Sequence, residues 1–386
     1  MVAAPGTRQS IVNVGAGIMG LCSAWALSRR GHAVTVIDQA AIPNPLGSSY
    51  DEQRIIRHAY GAMHGYARLM PDAFAAWRLL WADLGRDHLE PMPATYCLRV
   101  ESDWYADVSA SLSALGIAYR DIPLDGVATR LPMLRRDGLM RVVETQGAGL
   151  LFAQRIVDDL VAYLRSAGVT LIPRATVDAV DPERAIVRSS GRTWSADRVL
   201  VAAGAWLPRL LGKLPEKPRP SVQTVIYLEP PADLVAPWQT APLLLNRLRV
   251  ASGGVYVLPP RRGTRLKIGD YAHTFEGDPV APREPRREHI ERVLEAGRLA
   301  LADFERYRVL EAKACFYTVT RDERFVLRPL GARGWLLSAC SGHGFKLAAL
   351  MGIGAADGIE GVRTPAELAY WAAGRIDDRR PGSVAG

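Results

Sequence analysis

The chain has 386 residues, 48% of them apolar and 23% charged, the balance of an ordinary globular protein and more than one core usually holds, so two interleaved or sequential domains are expected. The formal net charge of +8 is spread as arginines among acids rather than gathered on one face, which argues against nucleic acid and leaves a mild attraction for anionic small molecules. Cysteines 22, 97, 315 and 340 have neither metal-ligand spacing nor the density of a disulfide scaffold, the N-terminus lacks signal-peptide order, and no apolar run is long enough to span a bilayer; the expectation is a cytoplasmic protein with no metal and no membrane partner.

In chain order, Ile11-Val12-Asn13-Val14 reads as a short buried strand running into Gly15-Ala16-Gly17-Ile18-Met19-Gly20, then a helix over Leu21 to Arg29, then a parallel strand Ala33 to Ile37 ending in Asp38. Helical periodicity covers about 62–90, and Pro91 to Pro93 marks a break. Short alternating runs from Thr95 to about Arg141 suggest strands and a helix. Phe152 to Ser166 reads as an amphipathic helix, Val169 to Ile172 as a strand, and Val177 to Gly204 as a meander closing on the apolar strand Arg198 to Gly204. After a proline-rich crossover at Pro215 to Pro220, Val222 to Leu228, Gly254 to Leu258 and Arg265 to Ile268 read as antiparallel strands. Arg283 to Arg306 permits a helix, Trp335 to Ala339 is a strand, and a helix follows from about Phe345 to Ile359, with a disordered tail of ten or so residues.

The first of these elements form a βαβ unit with a mechanism attached. Gly15, Gly17 and Gly20 let a tight turn approach a pyrophosphate, the helix points its N-terminal amides at the negative charge, and Asp38, eighteen residues beyond Gly20, is placed for a ribose hydroxyl. The pattern predicts dinucleotide binding without separating FAD from NAD, and the opening also looks like that of 3-hydroxyacid dehydrogenases.

Farther along, four segments resemble one family. They are Ser48 to Gly61 with Arg54-Ile55-Ile56-Arg57, Val201-Ala202-Ala203-Gly204-Ala205-Trp206, Lys313-Ala314-Cys315-Phe316-Tyr317-Thr318, and Cys340-Ser341-Gly342-His343-Gly344-Phe345-Lys346. Together they are similar to the monomeric sarcosine oxidase and N-methyltryptophan oxidase-like family of FAD-dependent amine oxidases, within the D-amino acid oxidase superfamily.

The resemblance implies an α/β protein with a discontinuous Rossmann-type FAD domain (1–90, 145–218 and 320–386) and a substrate domain on a mixed or antiparallel sheet (91–144 and 219–319). It implies FAD bound by Gly15, Gly17, Met19, Gly20, Asp38, Ser48, Arg54, Gly204, Trp206, Gly342, His343, Gly344 and Lys346, and attached covalently through Cys315. It implies a substrate carboxylate gripped by Arg57 and Lys346, a cavity lined by Tyr256 and Tyr317, and Arg54 and Lys267 as catalytic cations, Lys267 serving the oxygen half-reaction. The expected reaction is hydride transfer from a small secondary amino acid, N-alkylated or cyclic, to FAD, then reoxidation by O2 with release of H2O2, in a monomer. A flavin dehydrogenase serving a carrier, an NAD-dependent hydroxyacid dehydrogenase and a non-enzymatic nucleotide-binding module remain alternatives. The chain departs from the family at Ser49-Tyr50, where paired histidines are usual, at Glu52-Gln53, and at Cys340, where an aromatic residue is usual. Those departures point to a substrate other than sarcosine.

Overall fold

In the computed structural model, which describes residues 7–281 and 283–376, two main sheets carry the molecule. The first has six strands in the order Val326–Leu330, Gly334–Ser338, Arg198–Val201, Ser10–Val14, Ala33–Ile37 and Thr170–Ile172, parallel except for the hairpin at its start. Strands buried on both faces need near-continuous apolar runs, which Val199 to Val201 supplies, and Ile11 to Val14 also supplies apart from Asn13, whose buried amide donates to Gly20 O. Helices Ile18–Arg29, Ala153–Ser166, Gly344–Glu360 and His64–Leu84 share a single apolar core with this sheet. A three-stranded meander (Ala179–Asp181, Ile186–Ser189 and Arg192–Ser195) contributes Val187 to the core on the other side.

The second sheet has nine strands. Its main path runs Arg308–Val319, Arg219–Glu229, Leu266–Asp270, Gly254–Leu258, Leu243–Arg247, Leu89–Leu98, Arg141–Leu151 and Arg54–Ile56, with Tyr119–Asp121 also paired to Arg141–Leu151. Pairing is antiparallel except between Leu243–Arg247 and Leu89–Leu98, so the sheet is mixed. The α/β class with a Rossmann-type unit and a second, mixed sheet is thus what the chain adopts.

Several local expectations fail. Helix His64–Leu84 stops short of residue 90 because Gly85 takes a left-handed cap at φ 66°, its N–H donating to Trp81 O. Pro91 and Pro93 do not break the chain but lie inside Leu89–Leu98, where the register shifts between Met92 and Ala94; a bulge tolerates a residue with no N–H to give. The helix expected over 283–306 is confined to Arg287–Ala300. Leu243–Arg247 and Arg141–Leu151 are strands that the sequence reading did not separate from their surroundings. Helix Pro365–Ala372 was also missed, although Thr364 and Glu367 form a capping box, a signal legible in sequence. The tail expected to be disordered lies outside the described residues from 377 onward.

Candidate active site

A cavity of about 370 Å³ opens at the carboxyl ends of the parallel strands, where ligands of such folds bind. Gly15, Gly17, Met19, Asp38, Ser48, Arg54, Gly204, Trp206, Gly342 and Gly344 all line it. Gly15 has φ +109° and its Cβ would fall 2.4 Å from Ala202 O, so no other residue fits there. Gly20 does not line the cavity; it lets the helix press onto the turn, a Cβ there meeting Gly15 O at 1.9 Å. At Gly17 a Cβ would meet nothing closer than Ser49 Oγ at 3.5 Å, and at Gly204 nothing within 4 Å. Room is therefore left above the turn for a ligand rather than for protein. Asp38 accepts from Ala16 N at 2.8 Å and Ala40 N at 2.9 Å, and Trp206 Nε1 is buried without a partner. This donor set and open cradle fit the dinucleotide of FAD.

A second cavity, about 410 Å³, shares Arg54, Tyr317, Gly342 and Phe345 with the first and lies on one face of the nine-stranded sheet. Because strand side chains alternate, that face takes every second residue: Cys315 and Tyr317, Gln223 and Val225, Tyr256 and Leu258, Leu245 and Arg247, with Lys267 and Tyr96. Cys315 is free, and burial pushes its thiol up to about 11 although Arg54 opposes this. Ser48 Oγ receives Phe316 N at 3.1 Å, stitching the loop before Arg54 to the cysteine strand.

Lys267 is buried in a knot the sequence reading did not foresee. Its Nζ donates to Asp51 Oδ2 at 2.9 Å and to Gln53 O at 2.6 Å. Asp51 also accepts from Arg54 and from Tyr227 Oη. Burial alone would raise the Asp51 carboxyl, but Arg54 and then Lys267 outweigh it and hold it well below the usual carboxylate range. Burial lowers Lys267 to about 8, with Asp51 working in the opposite direction. Nothing in the run Ser49 to Gln53 marks Asp51, since its partners Tyr227 and Lys267 are 176 and 216 residues away.

Arg57 and Lys346 face the same cavity, Lys346 buried and Arg57 half-buried. Arg57 Nη1 reaches only the phenol of Tyr96, at 3.3 Å, and lies 5.7 Å from the Tyr60 ring centre; Lys346 Nζ lies 5.2 Å from that ring on its own account. Among the described residues neither has a carboxylate partner. Burial, and then the neighbouring Arg57 charge, push Lys346 well below the ordinary lysine value. Two cations without a carboxylate, one buried and one half-buried, make a site for an anion.

The turn ahead of Lys346 is strained, with Ala339, Ser341 and Gly342 at φ 59°, 44° and 76°, and is pinned by Ser341 N to Thr318 O at 3.0 Å. His343 belongs to this turn, but its ring bonds Tyr60 Oη at 3.3 Å and Glu323 O at 2.9 Å, and burial pulls it down to about 3. Only its backbone is left to serve a cofactor. The His343 and Lys346 side chains line the second cavity rather than the first, as do Tyr256 and Lys267, while Tyr317 lines both.

The chain is similar to several known proteins. N-methyl-L-tryptophan oxidase of Yersinia pestis (strain Pestoides F) is 26% identical over 353 residues, covering 89% of this chain and 92% of the relative. Among solved structures, L-proline dehydrogenase from P. horikoshii superposes with a TM-score of 0.80 at 17% identity, covering 95% of this chain and 97% of that one. Glycine oxidase from Geobacillus kaustophilus superposes at 0.77 and 18% identity, covering 97% and 100%. The profile described as FAD dependent oxidoreductase matches residues 10–357, and the chain belongs to that family.

Proposed function

We propose that the protein is an oxidase of small secondary amino acids, N-alkylated or cyclic, that passes electrons to O2. The observation that carries this reading is the pair of cations without a carboxylate partner, half-buried Arg57 and buried Lys346, on a cavity that shares its wall with the dinucleotide site. When bound, FAD supplies a two-electron acceptor next to that cavity. Arg57 offers a carboxylate a planar pair of N–H donors and Lys346 a point charge, which together fix the orientation of the carbon that loses hydrogen. Tyr60, Tyr96 and Tyr256 give the substrate an aromatic wall and keep water out. The amine needs no dedicated base when it arrives neutral. Lys267 places a positive charge where O2 gathers negative charge on reduction. Cys315 is assigned to covalent attachment, its thiolate formed against the burial that keeps the thiol protonated, with Arg54, Lys267 and Arg283 easing that step.

Two measurements test the reading. Anaerobic mixing with secondary amino acids such as N-methyl amino acids and proline is expected to bleach the flavin, and air to restore it with one peroxide per turnover. Bleaching without reoxidation by air would give the dehydrogenase reading its case. Acid-precipitated protein is expected to stay yellow and Cys315→Ala to release its flavin; colour lost wholly to the supernatant of wild type would sink the covalent link.

A further inference from the structure

Arg247 is a further cation on the substrate cavity, beside Arg54, Arg57, Lys267 and Lys346, and the carboxylate clamp has no use for it. Its guanidinium lies 5.5 Å from the ring centre of Trp104 and 5.1 Å from that of Tyr271. Among the described residues it has no carboxylate partner. The acids that line the cavity have other partners: Glu323 meets His273 Nε2 at 3.6 Å, and feels the Arg247 charge only as a weaker influence, while Asp270 is bound by Arg292 at 2.5 Å.

Sheet register fixes where Arg247 stands. Gly269, Tyr256, Leu245 and Tyr96 are successive partners across four strands and form one row of the cavity floor. Lys267 pairs with Leu258 on one side of that row, and Arg247 pairs with Gly254 on the other. Gly254 and Leu258 are four residues apart on one strand, roughly 13 Å at the rise of a strand. The clamp lies between these ends, because Arg57 touches Tyr96, whose ring is 4.6 Å from that of Trp104, and Trp104 in turn lies against Arg247. A substrate carboxylate held by Arg57 and Lys346 therefore has Lys267 and the dinucleotide site toward one end and Arg247 toward the other.

We propose that the substrate carries a second anionic group on its side chain, and that Arg247 receives it, so that the enzyme acts on secondary amino acids with an acidic side chain. The assignment rests on the clamp reading. A guanidinium held between two rings is partly stripped of water yet keeps its N–H donors, and a side-chain carboxylate supplies both the missing charge and acceptors in a matching plane.

The test compares probes of equal length with one or two charges on flavin-loaded enzyme. Dissociation constants of succinate, glutarate and adipate, read from the perturbed flavin spectrum, are set against those of butyrate, valerate and caproate. At least one dicarboxylate is expected to bind about tenfold or more tightly than its partner, a difference that disappears in Arg247→Met and partly returns in Arg247→Lys. Arg57→Met should weaken both series alike. Turnover of N-methylglutamate against N-methylglutamine should follow the same order. Equal binding of the two series by wild type, or a preference that survives Arg247→Met, overturns the assignment and leaves the clamp standing. If no carboxylate of either series perturbs the flavin, the clamp is wrong and the assignment falls with it.

Discussion

At the scale of single residues, the site is a problem of charge without water. Arg57 and Lys346 repel each other in a buried space until an anion arrives, so removing either one leaves a bound carboxylate half paired. Arg57→Met and Lys346→Met are each expected to weaken a carboxylate inhibitor by about 2–4 kcal/mol, measured by titration of the flavin spectrum. Unchanged affinity in both would place the clamp elsewhere. Lys267 poses the opposite case, a cation with too good a partner. Burial lowers its ammonium to about 8, so reoxidation by O2 is expected to slow as pH rises through that value, while anaerobic reduction, which needs the neutral amine, is expected not to fall over the same range. Asp51→Asn removes a charge that raises the Lys267 pKa, and the decline should move to lower pH. A stopped-flow profile that moves upward, or does not move, would remove Asp51 from this role. Lys267 was legible in the sequence because it alternates with apolar neighbours in Leu266-Lys267-Ile268, and Arg57 because isoleucines precede it. Asp51 and Arg247 were not, since what distinguishes them is a partner gained, or left missing, across the fold.

At the scale of elements, helix Gly344–Glu360 does the most positioning. It crosses helix Ile18–Arg29 so closely that a Cβ on Gly352 would lie 2.5 Å from Cys22 O, a backbone atom that cannot step aside. Trp77 donates to Lys346 O at 2.9 Å and fixes its first turn. Gly352→Ala is expected to cost about 1–3 kcal/mol by forcing the two helices apart. The check is a lowered thermal midpoint accompanied by reduced flavin content, because the first turns of both helices border the dinucleotide cavity. A variant as stable and as yellow as wild type would show that the crossing has slack. The helix itself was readable from the apolar run after Gly344. Strand Leu243–Arg247 was not, because Leu243-Leu244-Leu245 lacks alternation and the strand is recognised only by its pairing on both sides. Proline misled in the other direction: Pro91 and Pro93 suggest a break, and the bulge that admits them is visible only in the ladder.

At the scale of the whole molecule, the dinucleotide cavity is walled by segments that meet nowhere else in sequence: the first turn, the loop around Ser48, the stretch Ala202 to Trp206, the cysteine strand and the final helix. A ligand that touches all of them binds the native state alone. Cys315→Ala protein stripped of flavin is therefore expected to unfold at a lower temperature and to recover with added FAD in proportion to the logarithm of its concentration, about 2.7 kcal/mol at a hundredfold excess over the dissociation constant. A midpoint indifferent to FAD would contradict the placement. The α/β class and the opening βαβ unit could be read from hydrophobic runs and glycine spacing because both are local. The order of strands in the nine-stranded sheet could not, since five of its neighbours join segments far apart in the chain. That order has one further consequence. Val225, Leu245 and Leu258 stand on the cavity floor while their backbones are locked in the ladder, so enlarging or shrinking them changes the room above without moving the cations at either end. Substrate range can thus drift by exchange of these three apolar side chains while the oxidation chemistry stays in place, and they are where a redesign for a bulkier amine should begin.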